Sequence, residues 1–295
     1  MEKRLFYIVD VFAEEKYAGN QLAVFRGVEK LSTEQMQQIA KEMNYSETTF
    51  IVSETMQNGG YCVRIFTPHQ ELPFAGHPTL GTAFILQQEV IQNAVETVML
   101  NLQVGQIPVT LTYQQNAIDL LWMRQNSPQF GQQFDRGTIA LILNLDVDEF
   151  DDRYPIQSVS TGLPFIIAPL KKQRSLQQSK INKERLFDLI QTTEAKAILV
   201  FCPETYHAEN QLCVRVFVDG LGIPDDPATG SANGCLAGYL AHYNYFGDAA
   251  VDVRVEQGYE MGRPSLLLLK AQKTDADIEV SVGGHVVMVA RGEFV

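Results

Sequence analysis

Val63-Arg64-Ile65-Phe66 recurs as Val214-Arg215-Val216-Phe217, 151 positions further along a chain of 295 residues. An internal repeat constrains a fold strongly, because each copy is one structural unit that must bury its apolar face in the same way. A Gly/Pro loop opening a small-residue helix follows both copies. The first reads Phe74-Ala75-Gly76-His77-Pro78-Thr79-Leu80-Gly81-Thr82-Ala83, the second Pro224-Asp225-Asp226-Pro227-Ala228-Thr229-Gly230-Ser231-Ala232. A second pair, Thr49-Phe50-Ile51-Val52 and Pro164-Phe165-Ile166-Ile167, lies 115 positions apart. The two offsets differ by 36, which predicts an insertion in the second half. The polar, helix-favouring stretch from Lys171 to Thr193 is its expected place.

Local patterns give the elements of each copy. Leu5 to Val11, Thr48 to Val52 and Tyr61 to Phe66 are β-rich and read as strands. Ser32 with Gln35 forms a capping box, and Met36, Ile39, Ala40 and Met43 follow at helical spacing. Pro78 to Gln88 reads as a helix with Pro in its first turn. Val109 to Thr112 and Ala117 to Met123 read as a hairpin. In the second half, helices are expected over Ile139 to Leu145 and Ser231 to Tyr243. Strands are expected at Ser158 to Ala168, Ala197 to Phe201 and Cys213 to Val218, and the end from Asp277 to Val295 is β-rich.

Composition narrows the partners. The formal net charge of -12 repels nucleic-acid backbones and anionic membrane surfaces, while leaving a small anion free to bind a local site. No apolar run approaches the roughly 20 residues that span a bilayer, and Met1 to Phe12 makes a poor signal peptide, so a cytoplasmic protein is expected. Cys62, Cys202, Cys213 and Cys235 form no C-x-x-C pair and no metal spacing with His, and are expected to be buried reduced thiols.

The chemistry concentrates in the two loops. Each runs into a helix N-terminus, whose unpaired N–H groups and positive dipole suit a carboxylate or phosphate. Gly76, Pro78 and Thr79 in one loop, and Gly230 and Ser231 in the other, are therefore candidate binders of a small anionic metabolite. Neither loop matches a nucleotide-binding motif, and there is no nucleophile elbow. What remains is acid/base chemistry. Glu47, in Asn44-Tyr45-Ser46-Glu47-Thr48-Thr49-Phe50, precedes an apolar strand. From the residues alone it reads either as a solvated loop carboxylate or as a proton shuttle whose charged form its apolar and aromatic neighbours disfavour, raising its pKa toward working pH. His77 and Asp226 lie in the two loops and are the further acid/base candidates.

These same residues resemble the PhzF-like family, named for the phenazine-biosynthesis isomerase. The likeness is carried by Asn44 to Phe50, by Gly76-His77-Pro78-Thr79, and by Asp226-Pro227-Ala228-Thr229-Gly230-Ser231-Ala232. Further matches are Gly19-Asn20-Gln21-Leu22-Ala23-Val24, Ser160-Thr161-Gly162-Leu163-Pro164, Gln257-Gly258 and Met261-Gly262-Arg263-Pro264-Ser265. The resemblance implies an α+β fold similar to diaminopimelate epimerase. It has two pseudo-symmetric halves, each a mixed sheet curled around a central helix, with the active site between them. The expected halves are residues 1–115 joined by 283–295, and residues 116–282. The resemblance implies Glu47 as catalytic glutamate, His77 and Asp226 as its site partners, Ser231 as a helix-capping binder, Gly162 as a further binder, no metal, no organic cofactor, and a homodimer. Related epimerases place a thiol in each loop; here both loops lack cysteine, which points to a single glutamate moving a proton. A non-catalytic metabolite-binding protein on the same fold is the alternative.

Overall fold

The computed structural model describes residues 4–221 and 225–295, so Pro224 of the second loop lies outside the described residues. In chain order, the first ten elements are β1 (Arg4–Val11), β2 (Asn20–Arg26), α1 (Thr33–Met43), β3 (Glu47–Ile51), β4 (Tyr61–Phe66), β5 (Glu71–Leu72), α2 (Gly76–Ile85), β6 (Thr97–Leu102), β7 (Gly105–Gln114) and β8 (Ala117–Gln125). Then come β9 (Gln129–Phe134), α3 (Arg136–Leu143), β10 (Ile156–Ser160), β11 (Pro164–Pro169), α4 (Gln173–Gln178), α5 (Lys183–Ile190), β12 (Ala197–Cys202) and β13 (Leu212–Phe217). The chain ends with α6 (Gly230–His242), β14 (Ala250–Gln257), β15 (Ser265–Lys273), β16 (Ile278–Gly284) and β17 (Val286–Phe294).

Two compact units result, one of residues 1–123 with 283–295, the other of residues 124–282. The first division falls at Met123/Arg124 rather than at 115/116. The reason is that β8 is the antiparallel hairpin partner of β7, with Met123 opposite Val109.

The two units share one topology. In the first, β17–β1–β2–β3–β4–β6–β7 pair as antiparallel, antiparallel, parallel, antiparallel, parallel, antiparallel. In the second, β9–β10–β11–β12–β13–β14–β15 pair in the same series of senses. Each mixed sheet carries a helix at the same point: α2 packs on β1, β2 and β3, and α6 on β10, β11 and β15. Both helices are apolar all round and almost wholly buried, as a helix enclosed by its own sheet must be.

The repeated string has a structural meaning within each unit. Arg64 pairs with Glu71 at 2.6 Å and lies over the Phe66 ring; Arg215 pairs with Asp225 at 2.9 Å and lies over Phe217. The second string pair does not correspond. Phe50 faces Arg64 across β3–β4, and Val200 faces Arg215 across β12–β13. The partner of β3 is therefore β12, 150 positions on, while Pro164 to Ile167 belongs to β11, the counterpart of β2. No 36-residue offset is needed. Residues 171–193 instead hold α4 and α5, which occupy the connection that α1 fills in the first unit.

Other expectations are corrected locally. Ser158 to Ala168 is two strands, because Gly162, at φ 138, turns β10 back antiparallel onto β11. The capping box of α1 is present, with Gln35 N–H donating to Ser32 Oγ and Ser32 N–H to Gln35 Oε1. α2 begins at Gly76 and continues as a π-helical turn over Leu86–Ile91. Cys202, Cys213 and Cys235 are buried free thiols, but Cys62 is only half-buried.

Candidate active site

In the first unit, helix α1 stops at Asn44, whose left-handed conformation (φ 53) turns the chain into β3. Glu47 opens that strand opposite Leu22 of β2. Side chains alternate along a strand, so Glu47 shares a face with Thr49, and Thr49 is hydrogen-bonded at 2.8 Å to Thr82 of α2. That face also meets the start of α2, where the loop places Gly76, His77, Pro78 and Thr79 in the first turn. His77 Nε2 stands 3.4 Å from Glu47 Oε2, with side-chain exposures of 7% and 16%. Ala75 offers no side chain to cap α2, while Thr79 donates its hydroxyl back to the Ala75 carbonyl at 2.7 Å.

Burial holds the His77 pKa down to about 3, against a hydrogen bond to the Gln21 backbone that favours the protonated ring. The helix N-terminus also disfavours a cation there. The imidazole is therefore neutral at physiological pH, and its contact with Glu47 is a polar contact and not an ion pair. Nε2 makes no hydrogen bond of its own, which leaves it as the polar group facing the carboxyl.

In the second unit, α6 starts at Gly230 after a turn that contains Asp226 and Thr229. Thr229 donates its hydroxyl to Asp226 Oδ2 at 2.5 Å. Ser231 is half-buried in the first helical turn. Gly162 is joined to this place through Gln125: Thr161 Oγ1 donates to Gln125 Oε1 at 2.6 Å, and Gln125 Nε2 donates to the Gly230 carbonyl at 3.0 Å. The structure thus gathers Glu47, His77, Gly76, Pro78 and Thr79 in the first unit, and Asp226, Gly230, Ser231 and Gly162 in the second.

The equivalence of the halves supplies a comparison. Glu47 opposes Leu22 in β2–β3, and Ala197 opposes Phe165 in β11–β12, so Ala197 is the counterpart of Glu47. Gly76 and Gly230 each open the central helix, so Ser231 is the counterpart of His77. The Glu47–His77 pair is thus replaced by Ala197 and Ser231 at the equivalent places of the second half.

A family model described as phenazine biosynthesis-like protein, PhzC-PhzF, matches residues 9–292. The chain belongs to the PhzC-PhzF family. A trans-2,3-dihydro-3-hydroxyanthranilate isomerase from Pseudomonas aeruginosa is 32% identical, covering 97% of this chain and 98% of its own. The crystal structure of a Bacillus anthracis phenazine biosynthesis protein of the PhzF family superposes with a TM-score of 0.91 at 26% identity, over 100% of both chains. A hydroxyproline epimerase from Agrobacterium vitis, at 9% identity and a TM-score of 0.66 over 100% and 91% of the two chains, shares the fold. With relatives named as isomerases and an epimerase fold, this PhzC-PhzF family member is an isomerase.

Sequence reasoning named Gln257 only within the family likeness, without a role, and did not name Gln125; both hold the start of α6 in this isomerase. Gln125 and Gln257 are buried or half-buried amides bonded to the start of α6. Gln257 closes an alternating strand, Ala250–Gln257, where an amide replaces an expected apolar residue; that break was the available signal. Among the described residues, no three His, Cys, Asp or Glu side chains are grouped to hold a metal, and no helix is long and apolar enough to cross a membrane.

Proposed function

We propose that this protein is a cofactor-independent isomerase of a small carboxylate-bearing metabolite, with Glu47 as the single base. One observation carries the reading: the enclosed Glu47–His77 pair has Ala197 and Ser231 at the equivalent places of the other half. Epimerisation by two bases calls for a proton carrier from each half, and only one half has this pair. A single base moves a proton along one face. Glu47 takes the proton of an acidic C–H bond, the electron pair of that bond shifts the neighbouring double bond by one position, and Glu47 returns the proton to the far carbon. The carboxylate is regenerated and nothing else is consumed.

His77 stays neutral through the cycle, so it polarises without competing for the proton. The half-buried Asp226 and Ser231, at the start of α6, are assigned to binding substrate. The relatives named for trans-2,3-dihydro-3-hydroxyanthranilate make that compound the first to test. In deuterated water, the wild-type protein is expected to isomerise it with label entering the product. Glu47→Gln keeps the size and polarity but cannot cycle a proton, and its rate is expected to fall by about 10²–10⁴-fold while binding persists. Glu47→Gln turning over at the wild-type rate would overturn the assignment.

A further inference from the structure

Gln257 is fully buried at the end of β14, and of its four hydrogen-bonding positions three are spent on the turn before α6 and the fourth on Asn233 in the first turn of that helix. Its amide nitrogen donates to the Asp226 carbonyl at 2.7 Å and to Thr229 Oγ1 at 3.0 Å. Its oxygen accepts from the Thr229 N–H at 3.2 Å and from Asn233 Nδ2 at 2.8 Å. Thr229 in turn donates to the Asp226 carboxylate. The next residue closes the turn from behind: Gly258 is left-handed at φ 82, and a Cβ there would lie 2.6 Å from the Pro227 carbonyl oxygen.

The duplicated fold shows what this position needs for folding alone. Cys62 and Cys213 each precede the repeated string, and their parallel-strand partners are Asn101 and Glu256. Both partners do the same work, tying down the loop that precedes the string. Asn101 donates to the Gln57 carbonyl, and Glu256 accepts from the Tyr206 and His207 N–H groups. One residue on, Leu102 is the counterpart of Gln257. An apolar plug suffices in the first unit. The second unit has a buried amide there, and that amide grips the turn carrying Asp226.

We infer that Gln257 is a positioning residue, which fixes the Asp226–Gly230 turn for the reaction and acts through Asp226 and Thr229. The inference rests on the functional reading above. Misplacement of a reacting geometry by about 1 Å can cost on the order of 10²-fold in rate. Gln257→Leu installs the residue the other half already uses. It is expected to fold, to leave β14 in place, to shift the Asp226–Gly230 turn by about 1 Å in a crystal structure, and to lower kcat by about that factor. Gln257→Glu keeps an acceptor for Thr229 but loses the donor to the Asp226 carbonyl, and is expected to fall between the two.

The kinetic probe is trans-2,3-dihydro-3-hydroxyanthranilate. In an Asp226→Asn background, Gln257→Leu is expected to cost less than about 3-fold more, because coupled residues are not additive. A merely structural role would instead add its full loss in both backgrounds, and that result overturns the inference. So does an unmoved turn in both variants, which the crystal structures read whether or not this compound is turned over. If Gln257→Leu does not fold, an unmoved turn in Gln257→Glu is sufficient to reject it. An impaired Asp226→Asn beside an unimpaired Gln257→Leu rejects the Gln257 role alone; a fully active Asp226→Asn rejects the role of Asp226 and that of Gln257 with it.

Discussion

His77 is buried neutral, and that has a measurable cost in acid. Its pKa is about 3 in the folded chain against an unfolded value of 6.5. Above pH 6.5 both states carry a neutral ring and nothing is lost. Between 6.5 and 3 the unfolded chain binds a proton that the folded chain refuses, so stability falls as pH falls. From pH 7 to pH 4.5 the loss attributable to His77 is on the order of 2 to 3 kcal/mol. His77→Gln removes that ring, so the gap in urea midpoint between wild type and variant should narrow as pH is lowered through this window. A gap that stays constant would locate the acid sensitivity at groups other than His77. Glu47 and His77 were legible from the residues and the family likeness together. Their 3.4 Å approach was not, since it depends on which face of β3 meets α2.

At the scale of elements, α2 packs closely against its own sheet. Gly81 faces the sheet of its own unit, and an added Cβ would stand 2.6 Å from Leu22 Cδ2 and 2.9 Å from Val11 Cγ2, both fully buried. Helix propensity favours alanine over glycine by about 1 kcal/mol, while overpacking of a filled core costs about 1–3 kcal/mol. Packing wins, because neither neighbour has space to give. Gly81→Ala should lower the melting temperature by a few degrees, on the order of 2–4 °C; an unchanged or higher value would mean the helix can back away from β1 and β2. Elements defined by local chemistry were readable, as with α1 and its Ser32–Gln35 capping box. Those defined by partners were not. Local pattern alone does not mark strands β2, β6, β9, β14 and β15, and it reads the apolar run through Gly162 as one strand, because pairing is fixed by distant residues and the turn by a single φ. The likeness of Thr49 to Val52 and Pro164 to Ile167 failed for the same reason: β-rich strings look alike, and only register tells which strand each one is.

Across the whole molecule, two copies of one topology carry different chemistry, and this makes each copy a control for the other. Where the fold alone decides, the counterparts agree, as Arg64 with Arg215 and Phe66 with Phe217. Where they differ in polarity, as Glu47 with Ala197 and Gln257 with Leu102, the polar member is the one placed beside the proposed chemistry. The difference predicts that a carboxylate is tolerated in one copy only. Ala197 is 1% exposed on a strand whose six residues are all buried. Ala197→Glu would put a carboxyl there without the His77 that accompanies Glu47, since Ser231 stands in its place. Burial raises such a carboxyl's pKa above its unfolded value of about 4.3, so it is neutral in both states in acid. As pH rises past 4.3 the unfolded chain releases the proton and the folded chain keeps it. The destabilisation then grows by about 1.4 kcal/mol for each pH unit until the folded pKa is reached. Ala197→Glu should therefore unfold at distinctly lower urea at pH 8 than at pH 5, relative to wild type at each pH. A variant whose deficit is the same at both would show that the carboxyl reaches water, and that the second copy could have accommodated a base of its own.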